Sequence, residues 1–311
     1  MKHISKILLL LISFSFNSCR AEKHITTYSN TSRLENDLRV ITKTEKPRNH
    51  LNLLSLDFVA DYIFNELAKN CDTVYYQKYF VNGLEYKNVI GVIGSDEKEK
   101  IVLGAHYDVA GNQEGADDNA SGIVGLLELS RLISKESLDY QIEFVAYTLE
   151  EPPYFRTDNM GSHIHAKYLY DNNVEIKGMI CLEMIGYFND NKNSQDYPIG
   201  FLKLFYGKRG DYITVVQKFG NGRFGRQIKR KMKGQNLMKT KSFKAPAKLP
   251  GIDFSDHLNY WRYDYSAVMI TNTAFYRNIN YHEQTDKMET LDIKRMGLVI
   301  DEVFLTLKEL K

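Results

Sequence analysis

Beyond its first twenty residues the chain has no apolar run long enough to cross a bilayer, so its body is expected to be soluble or merely tethered. Cysteine is scarce, three residues in 311. If Cys19 is spent on a lipid, Cys71 and Cys181 remain, either as one disulfide in an oxidising compartment or as two buried free thiols. Internal repeats and low-complexity stretches are absent, which predicts one folded domain over residues 20–311. Acid is missing from one region: Lys208 to Lys248 holds 13 Lys or Arg against a single acid, Asp211, in a chain of net charge +2. That block reads as a solvated basic helix and loop, or as an attraction for an acidic substrate or an anionic membrane surface. No nucleic-acid partner is expected.

What is present begins with a leader. Lys2, His3 and Lys6 precede the apolar stretch Ile7 to Phe16, too short to span a bilayer and suited to the apolar region of a secretory signal. Residues 1–19 therefore read as an export peptide, and the protein is expected in the periplasm or anchored in a bacterial envelope. Cys19 lies just past the stretch, where bacterial lipoproteins carry their lipidated cysteine, although Asn17 and Ser18 are not the usual neighbours. Lipidation at Cys19 and simple cleavage nearby are both open. The whole chain, 43% hydrophobic and 26% charged, has the composition of a globular protein with a full core.

Periodicity predicts helices at Ser32 to Thr42 and Leu51 to Lys69, the second with Leu54, Phe58, Ile63 and Leu67 as its apolar residues. Strands are expected at Val74 to Val81, Tyr86 to Ile93, Ile101 to Ala105, Gln141 to Thr148, Lys177 to Ile185 and Ser266 to Thr271. Helices at Ser121 to Ile133, Ser162 to Asp171 and Met288 to Leu310 complete the pattern. Such alternation predicts an α/β fold with a mixed, mostly parallel central β-sheet flanked by helices on both faces. The segment 186–263 is expected to be irregular, a helix plus long loops over the site.

Acidic residues and histidines fall where these strands give way to loops, the edge at which open α/β sheets place their sites. His106 and Asp108 stand in "GAHYD", where Asp108 is placed to accept the second N–H of the imidazole and strengthen it as a ligand. Asp117 and Asp118 lie in "GADDNASG", with Asn119 the expected helix cap. Glu150 and Glu151 end an apolar strand and point to opposite sides, held by Pro152 and Pro153. Glu183 sits within the apolar run "MICLEMIGY", where a carboxylate is costly unless paired or coordinated. His282 stands in "YHEQTD", with Asp286 four residues on. Alone, each has an ordinary structural reading as a solvated turn, a surface pair or a core histidine. Together they form a set for two divalent cations: His106 with Glu183, His282 with Glu151, Asp117 bridging, and Glu150 left free as a base. Nitrogen and oxygen donors without thiolate suit zinc, with manganese or cobalt as substitutes, and such a pair favours a bridging hydroxide as nucleophile.

The blocks "GAHYD", "GADDNASG", "EE", "GSHIHAK", "SDHLNYW" and "YHEQTD", in this order from about Val74 to the C-terminus, resemble the co-catalytic zinc aminopeptidases of the bacterial leucine aminopeptidase type. That family also contains glutamate carboxypeptidases, transferrin receptors and glutaminyl cyclases. The resemblance implies a zinc-exopeptidase-like fold and peptide substrates. It also implies the same ligand set, Asp108 as support for His106, Asp118 as a supporting residue rather than a ligand, and a cis peptide between Asp117 and Asp118. Glu183 departs from the family's usual aspartate, and the insert "PPYFRTDNM" is expected to wall the substrate pocket. Asp256 and His257, in "SDH", are expected near the substrate side, with His257 lining the pocket or structural rather than a ligand. The expected activity is hydrolysis of N-terminal peptide bonds. A single-zinc glutaminyl cyclase and a non-catalytic binding module on the same fold are the alternatives.

Overall fold

The computed structural model describes residues 27–310, so the expected export peptide and Cys19 lie outside the described residues. Helix α1 (Thr31–Thr42) starts at Asn30, whose side-chain oxygen accepts from the backbone N–H of Arg33, and it buries Leu34, Leu38 and Ile41. In α2 (Leu53–Ala68) the buried stripe is Leu56, Val59, Ala60, Ile63 and Leu67. Leu54 and Phe58, expected on that face, are instead 87% and 54% exposed. The helix carries more apolar residues than one stripe can bury, and the set at i, i+3, i+4, i+7 facing the sheet takes the core.

A hairpin follows, β1 (Thr73–Val81) and β2 (Leu84–Ile93), joined through Asn82 and Gly83, both at positive φ. That pair of left-handed residues makes the tight turn whose twist matches the strands. Next come β3 (Lys100–His106), α3 (Gly122–Ile133), β4 (Gln141–Tyr147), α4 (Gly161–Asp171) and β5 (Ile176–Glu183). A short α5 (Lys203–Tyr206), β6 (Ile213–Lys218), α6 (Phe224–Gln235), β7 (Thr240–Ala245), α7 (His257–Arg262), β8 (Ala267–Thr271) and α8 (Ile293–Lys308) complete the chain.

The eight strands form one sheet in the order β1-β2-β4-β3-β5-β8-β6-β7. Strands β4, β3, β5 and β8 run parallel at its centre, β2 and β6 are antiparallel to their inner neighbours, and β7 runs parallel to β6 at the edge. Helices cover both faces, so the fold is the expected mixed, mostly parallel α/β sheet. Residues alternating along β3, β4 and β5 split the core. Leu103, Phe144 and Leu182 pack under α1, α2, α3, α6 and α8, while Val102, Val145 and Met179 pack under α4 and α7. Cys71 belongs to the first layer and Cys181 to the second, and both are free thiols.

The segment expected to be irregular contains two strands. β6 is buried but ends on Lys218, and β7 is an edge strand whose lysines, Lys241 and Lys244, interrupt the apolar pattern. Charge on an edge strand blocks pairing with another chain, which disguised β7 as loop. Among the described residues no helix is long and apolar enough to cross a membrane.

Candidate metal centre

The parallel strands converge on one edge. β3 delivers His106 at its last position, β5 delivers Glu183 at its last, and β4 is followed by Glu150 and Glu151. The loop between β3 and α3 carries Asp117 and Asp118, packed so tightly that a Cβ on Gly122 would meet Asn119 Oδ1 at 2.4 Å and the Leu182 carbonyl at 2.6 Å. His282 arrives from the loop before α8, stacked face to face on Tyr281 at 3.8 Å between centroids. Leu149, Met184 and His282, each at or beside a functional position, hold positive φ values of 60°, 51° and 58°. Left-handed backbone at non-glycine residues is strained and collects at sites where the surroundings enforce it.

The carboxylate between the two imidazoles is that of Asp118. Its Oδ1 lies 3.5 Å from His106 Nε2 and its Oδ2 lies 3.2 Å from His282 Nε2. Glu183 Oε2 stands 3.4 Å from His106 Nε2, and Glu151 Oε2 stands 3.2 Å from His282 Nε2. Ligand atoms of His106, Asp118 and Glu151 all lie within 4.8 Å of one another. Glu150 Oε2 is 3.8 Å from His106 Nε2.

This cluster needs positive charge. Asp118, Glu150, Glu151, Glu183 and Asp256 are all buried around two imidazoles. Burial pushes Glu150 well above the carboxylate range and lifts Glu151 and Asp256 each to about 7. Burial also opposes charge on His106, but the carboxylates of Glu150 and Glu183 outweigh it and raise its pKa well above normal. His282 behaves likewise, its burial outweighed by the adjacent carboxylates of Asp118 and Glu151, which lift it to about 10. His106 Nδ1, Asp118 Oδ2, Glu151 Oε1 and His282 Nε2 are buried without a hydrogen-bond partner. Orphaned donor and acceptor atoms converging in an anionic nest are what cation coordination resolves, so the residues fit a divalent metal. The donor set, imidazole and carboxylate without thiolate, suits zinc.

The surrounding bonds hold this arrangement. Asp108 accepts from the backbone N–H groups of Glu150 (3.2 Å) and Glu151 (3.1 Å), while its distance to His106 Nδ1 is 3.5 Å. It fixes the strand end more tightly than it fixes the imidazole. Ser255 Oγ donates to Glu183 Oε2 at 2.7 Å, and Asp286 accepts from the N–H groups of Asp117 and Asp118 at 3.0 Å each. Arg48 is buried beneath the loops, donating to the carbonyls of Tyr107 and Gly115 at 2.7 Å. Sequence reasoning missed Ser255, Asp286 and Arg48 in these roles, because only tertiary contact defines them.

Two expectations are corrected. Asp117, expected as the bridge, points away from the histidines into a nest of donors: Gly186 N (2.9 Å), Tyr187 N (3.1 Å), Asn272 Nδ2 (2.7 Å) and Asn278 Nδ2 (2.8 Å). The cis peptide likewise falls one residue later than expected, between Asp118 and Asn119. Asp256 and His257 do not line the open cavity beside the centre. His257 is enclosed, its Nε2–H donating to the Ile252 carbonyl at 2.7 Å and its ring edge-on to Trp261.

Burial lowers the His257 pKa to about 4, so the folded protein keeps it neutral. Between about 6.5, the unfolded value, and about 4, the unfolded chain binds a proton that the folded chain refuses. The stability this ring contributes is thus complete above pH 6.5 and is lost as pH falls toward 4, by up to roughly 3 kcal/mol. Urea unfolding at several pH values should show the wild-type curve falling more steeply across that window than the curve of His257→Gln. Parallel curves would remove His257 from the account.

The cavity beside Glu183 has apolar walls that include Tyr206, Tyr212, Val216, Phe243, Phe254 and Met269. Its lining contains no lysine or arginine. Of the aromatics between β5 and β6, Tyr206 lines it, while Tyr187, Phe188 and Phe205 do not. The insert after Glu151 reaches this wall, with Phe155 edge-on to Phe254 at 5.8 Å and Arg156 bridged to Asp253.

A sheet of this topology, with carboxylates and imidazoles gathered at its strand ends, is the architecture of zinc exopeptidases. Residues 88–306 match the model of Peptidase family M28, and the chain belongs to that family. It is 40% identical over 288 residues to the Escherichia coli (strain K12) protein YfbL, itself uncharacterised, spanning 90% of this chain and 88% of that one. It is 26% identical over 220 residues to a probable leucine aminopeptidase of Arthroderma otae, covering 67% of this chain and 52% of that protein, so it spans about half the length of that relative. Among solved structures, the LapA aminopeptidase of Legionella pneumophila superposes with a TM-score of 0.69 at 20% identity, covering 91% of this chain and 73% of that one. The glutaminyl cyclase of Tannerella forsythia superposes with a TM-score of 0.68 at 20% identity, covering 91% and 99%. These two likenesses show the fold.

Proposed function

We propose that the protein is a zinc-dependent aminopeptidase that removes the N-terminal residue from peptides reaching the bacterial envelope. The observation that carries this reading is Asp118, one carboxylate facing two imidazoles, with Glu183 beside the first, Glu151 beside the second, and Glu150 uncommitted. His106, Asp118 and Glu183 would hold one zinc; Asp118, Glu151 and His282 would hold the other. Zinc bound there supplies the positive charge that polarises a scissile carbonyl and acidifies the attacking water. Glu150 takes the proton of that water and passes it to the leaving amine, a role suited to a carboxyl whose pKa burial has raised. The apolar cavity receives the side chain of the N-terminal residue. Its lack of a cationic wall favours an end of the peptide that carries an ammonium over one that carries a carboxylate.

The glutaminyl cyclase reading draws support from the shared fold, but the apolar walls of the cavity fit an aliphatic or aromatic side chain better than a glutaminyl amide. Assays of the purified protein on aminoacyl and N-terminal glutaminyl substrates should give hydrolysis of the first without cyclisation of the second. A chelator should abolish activity, and elemental analysis should return two zinc ions per chain. Cyclisation with one zinc per chain would overturn the proposal.

Cavity size also sets a specificity test. Val216→Phe adds a ring to the wall and should cut kcat/KM for leucyl and phenylalanyl substrates about tenfold or more while sparing alanyl substrates. Equal losses for all three would mean that the cavity does not receive the side chain.

A further inference from the structure

The segment between the cavity and solvent is apolar on its outer side. Ile199, Phe201, Leu204 and Phe205 are 52%, 63%, 74% and 71% exposed. Phe201, Leu204 and Phe205 stand at i, i+3 and i+4 on one face, with the two rings edge to face at 5.1 Å. Scattered exposed apolar residues are ordinary, but a contiguous ridge rimmed by charge marks a contact surface.

The rim is basic. Immediately behind the ridge, Lys192, Lys208, Arg209 and Lys239 line a polar cleft together with one acid, Asp211. The nearby carboxylates are already partnered: Asp211 with Lys239, Asp196 with Lys203 and Asp190 with Arg295. Lys192, Lys208 and Arg209 are exposed and, among the described residues, have no carboxylate partner.

The same side of the molecule carries the start of the described chain. Arg209 donates to the Asp190 carbonyl, Asp190 is bridged to Arg295 on α8, and Asp301, six residues along the same helix, accepts from the backbone N–H groups of Tyr28 and Ser29. Six helical residues span about 9 Å. Tyr28, at the start of the described chain, is therefore held on the same helix that Asp190 ties to the basic cleft.

We propose that residues 199–209 form a membrane-contact element. The ridge of Ile199, Phe201, Leu204 and Phe205 enters the headgroup region of an anionic bilayer, and Lys192, Lys208 and Arg209 bind the lipid phosphates around it. An apolar face ringed by cations is the composition of an interfacial anchor, and it supplies a second attachment that adds to any lipid on Cys19. Tyr206 lines both the basic cleft and the apolar cavity. On the aminopeptidase reading, on which this consequence rests, peptides adsorbed to the bilayer are presented beside the site.

The test is vesicle co-sedimentation of the exported chain carrying Cys19→Ser, so that no lipid is attached there. Binding to phosphatidylcholine vesicles containing 30% phosphatidylglycerol, roughly the anionic content of a strongly charged membrane, should exceed binding to pure phosphatidylcholine. The double change Phe201→Ser with Phe205→Ser should weaken it about tenfold or more, and Lys208→Glu with Arg209→Glu at least as much, near fivefold for each charge removed. Inorganic phosphate at matched ionic strength should not compete, which separates a bilayer from a free-anion site. Phe205→Trp should be quenched by brominated lipid, a readout that does not require a destabilising change. Hydrolysis of a soluble aminoacyl substrate by the two double variants should match the unaltered protein, so that loss of contact is distinguishable from failure of the peptidase reading. Unchanged binding in both double variants, absence of quenching, or a concentration-dependent dimer abolished by Phe201→Ser with Phe205→Ser would each overturn the proposal.

Discussion

Glu150→Gln is expected to lower kcat by about 10²–10⁴ while zinc content and thermal stability stay at wild-type levels. The two halves of that expectation come from different contacts. Glutamine keeps the shape of the side chain but can neither accept the proton of the attacking water nor return one to the leaving amine. The fold should not lose stability, because Glu150 is buried, near His106 but also among Glu151, Asp256 and Glu183, whose charges oppose its own. Its distance of 3.8 Å from His106 Nε2 is the longest of the carboxylate contacts to that imidazole, so removing its charge should not release a ligand. Turnover above about a tenth of wild type, set against the smallest loss expected for a proton-transfer residue, would take Glu150 out of the role of base. A proportional loss of bound zinc would instead make it a ligand.

The strand ends were readable because a residue that terminates an apolar run at a sheet edge has few places to go. His106, Glu150, Glu151 and Glu183 all lie at such ends, and the structure brings them together with His282. The loop between β3 and α3 was not readable to the same precision. Asp117 and Asp118 are chemically identical neighbours, and what decides between them is backbone direction, through Gly115 in the left-handed region and Asp118 at φ −104° and ψ 93°. The nest that captures Asp117 is assembled from Gly186, Tyr187, Asn272 and Asn278, distant in sequence and unremarkable in it. The same applies to Asp286, which stood in plain view four residues after His282 but whose bonds to two backbone N–H groups exist only once the chain has closed. Strand β7 escaped for a simpler reason, since lysine on an edge strand is indistinguishable in sequence from lysine in a loop.

The pair Asp118→Asn and Asp117→Asn should separate the two neighbours by opposite phenotypes. Asp118 faces an imidazole with each oxygen, at 3.5 Å and 3.2 Å, and its pKa is held below the carboxylate range because the two adjacent imidazoles overcome its burial. An amide there removes the negative charge common to both halves of the centre, so the variant should lose zinc by elemental analysis, and with it activity, while keeping its fold. Asp117 has no contact with either histidine, and its two oxygens accept two backbone and two side-chain N–H groups. An asparagine in its place turns an NH₂ group toward donors and leaves two of them unpaired, at about 1–3 kcal/mol each. For a chain of this size each kcal/mol corresponds to roughly 2–4 °C, so Asp117→Asn should melt about 4–24 °C lower than wild type. Below its melting point it should still bind zinc and retain activity, because the ligands themselves are untouched. The reverse result, zinc lost from Asp117→Asn and kept by Asp118→Asn, would return the bridge to Asp117 and break the assignment of the centre.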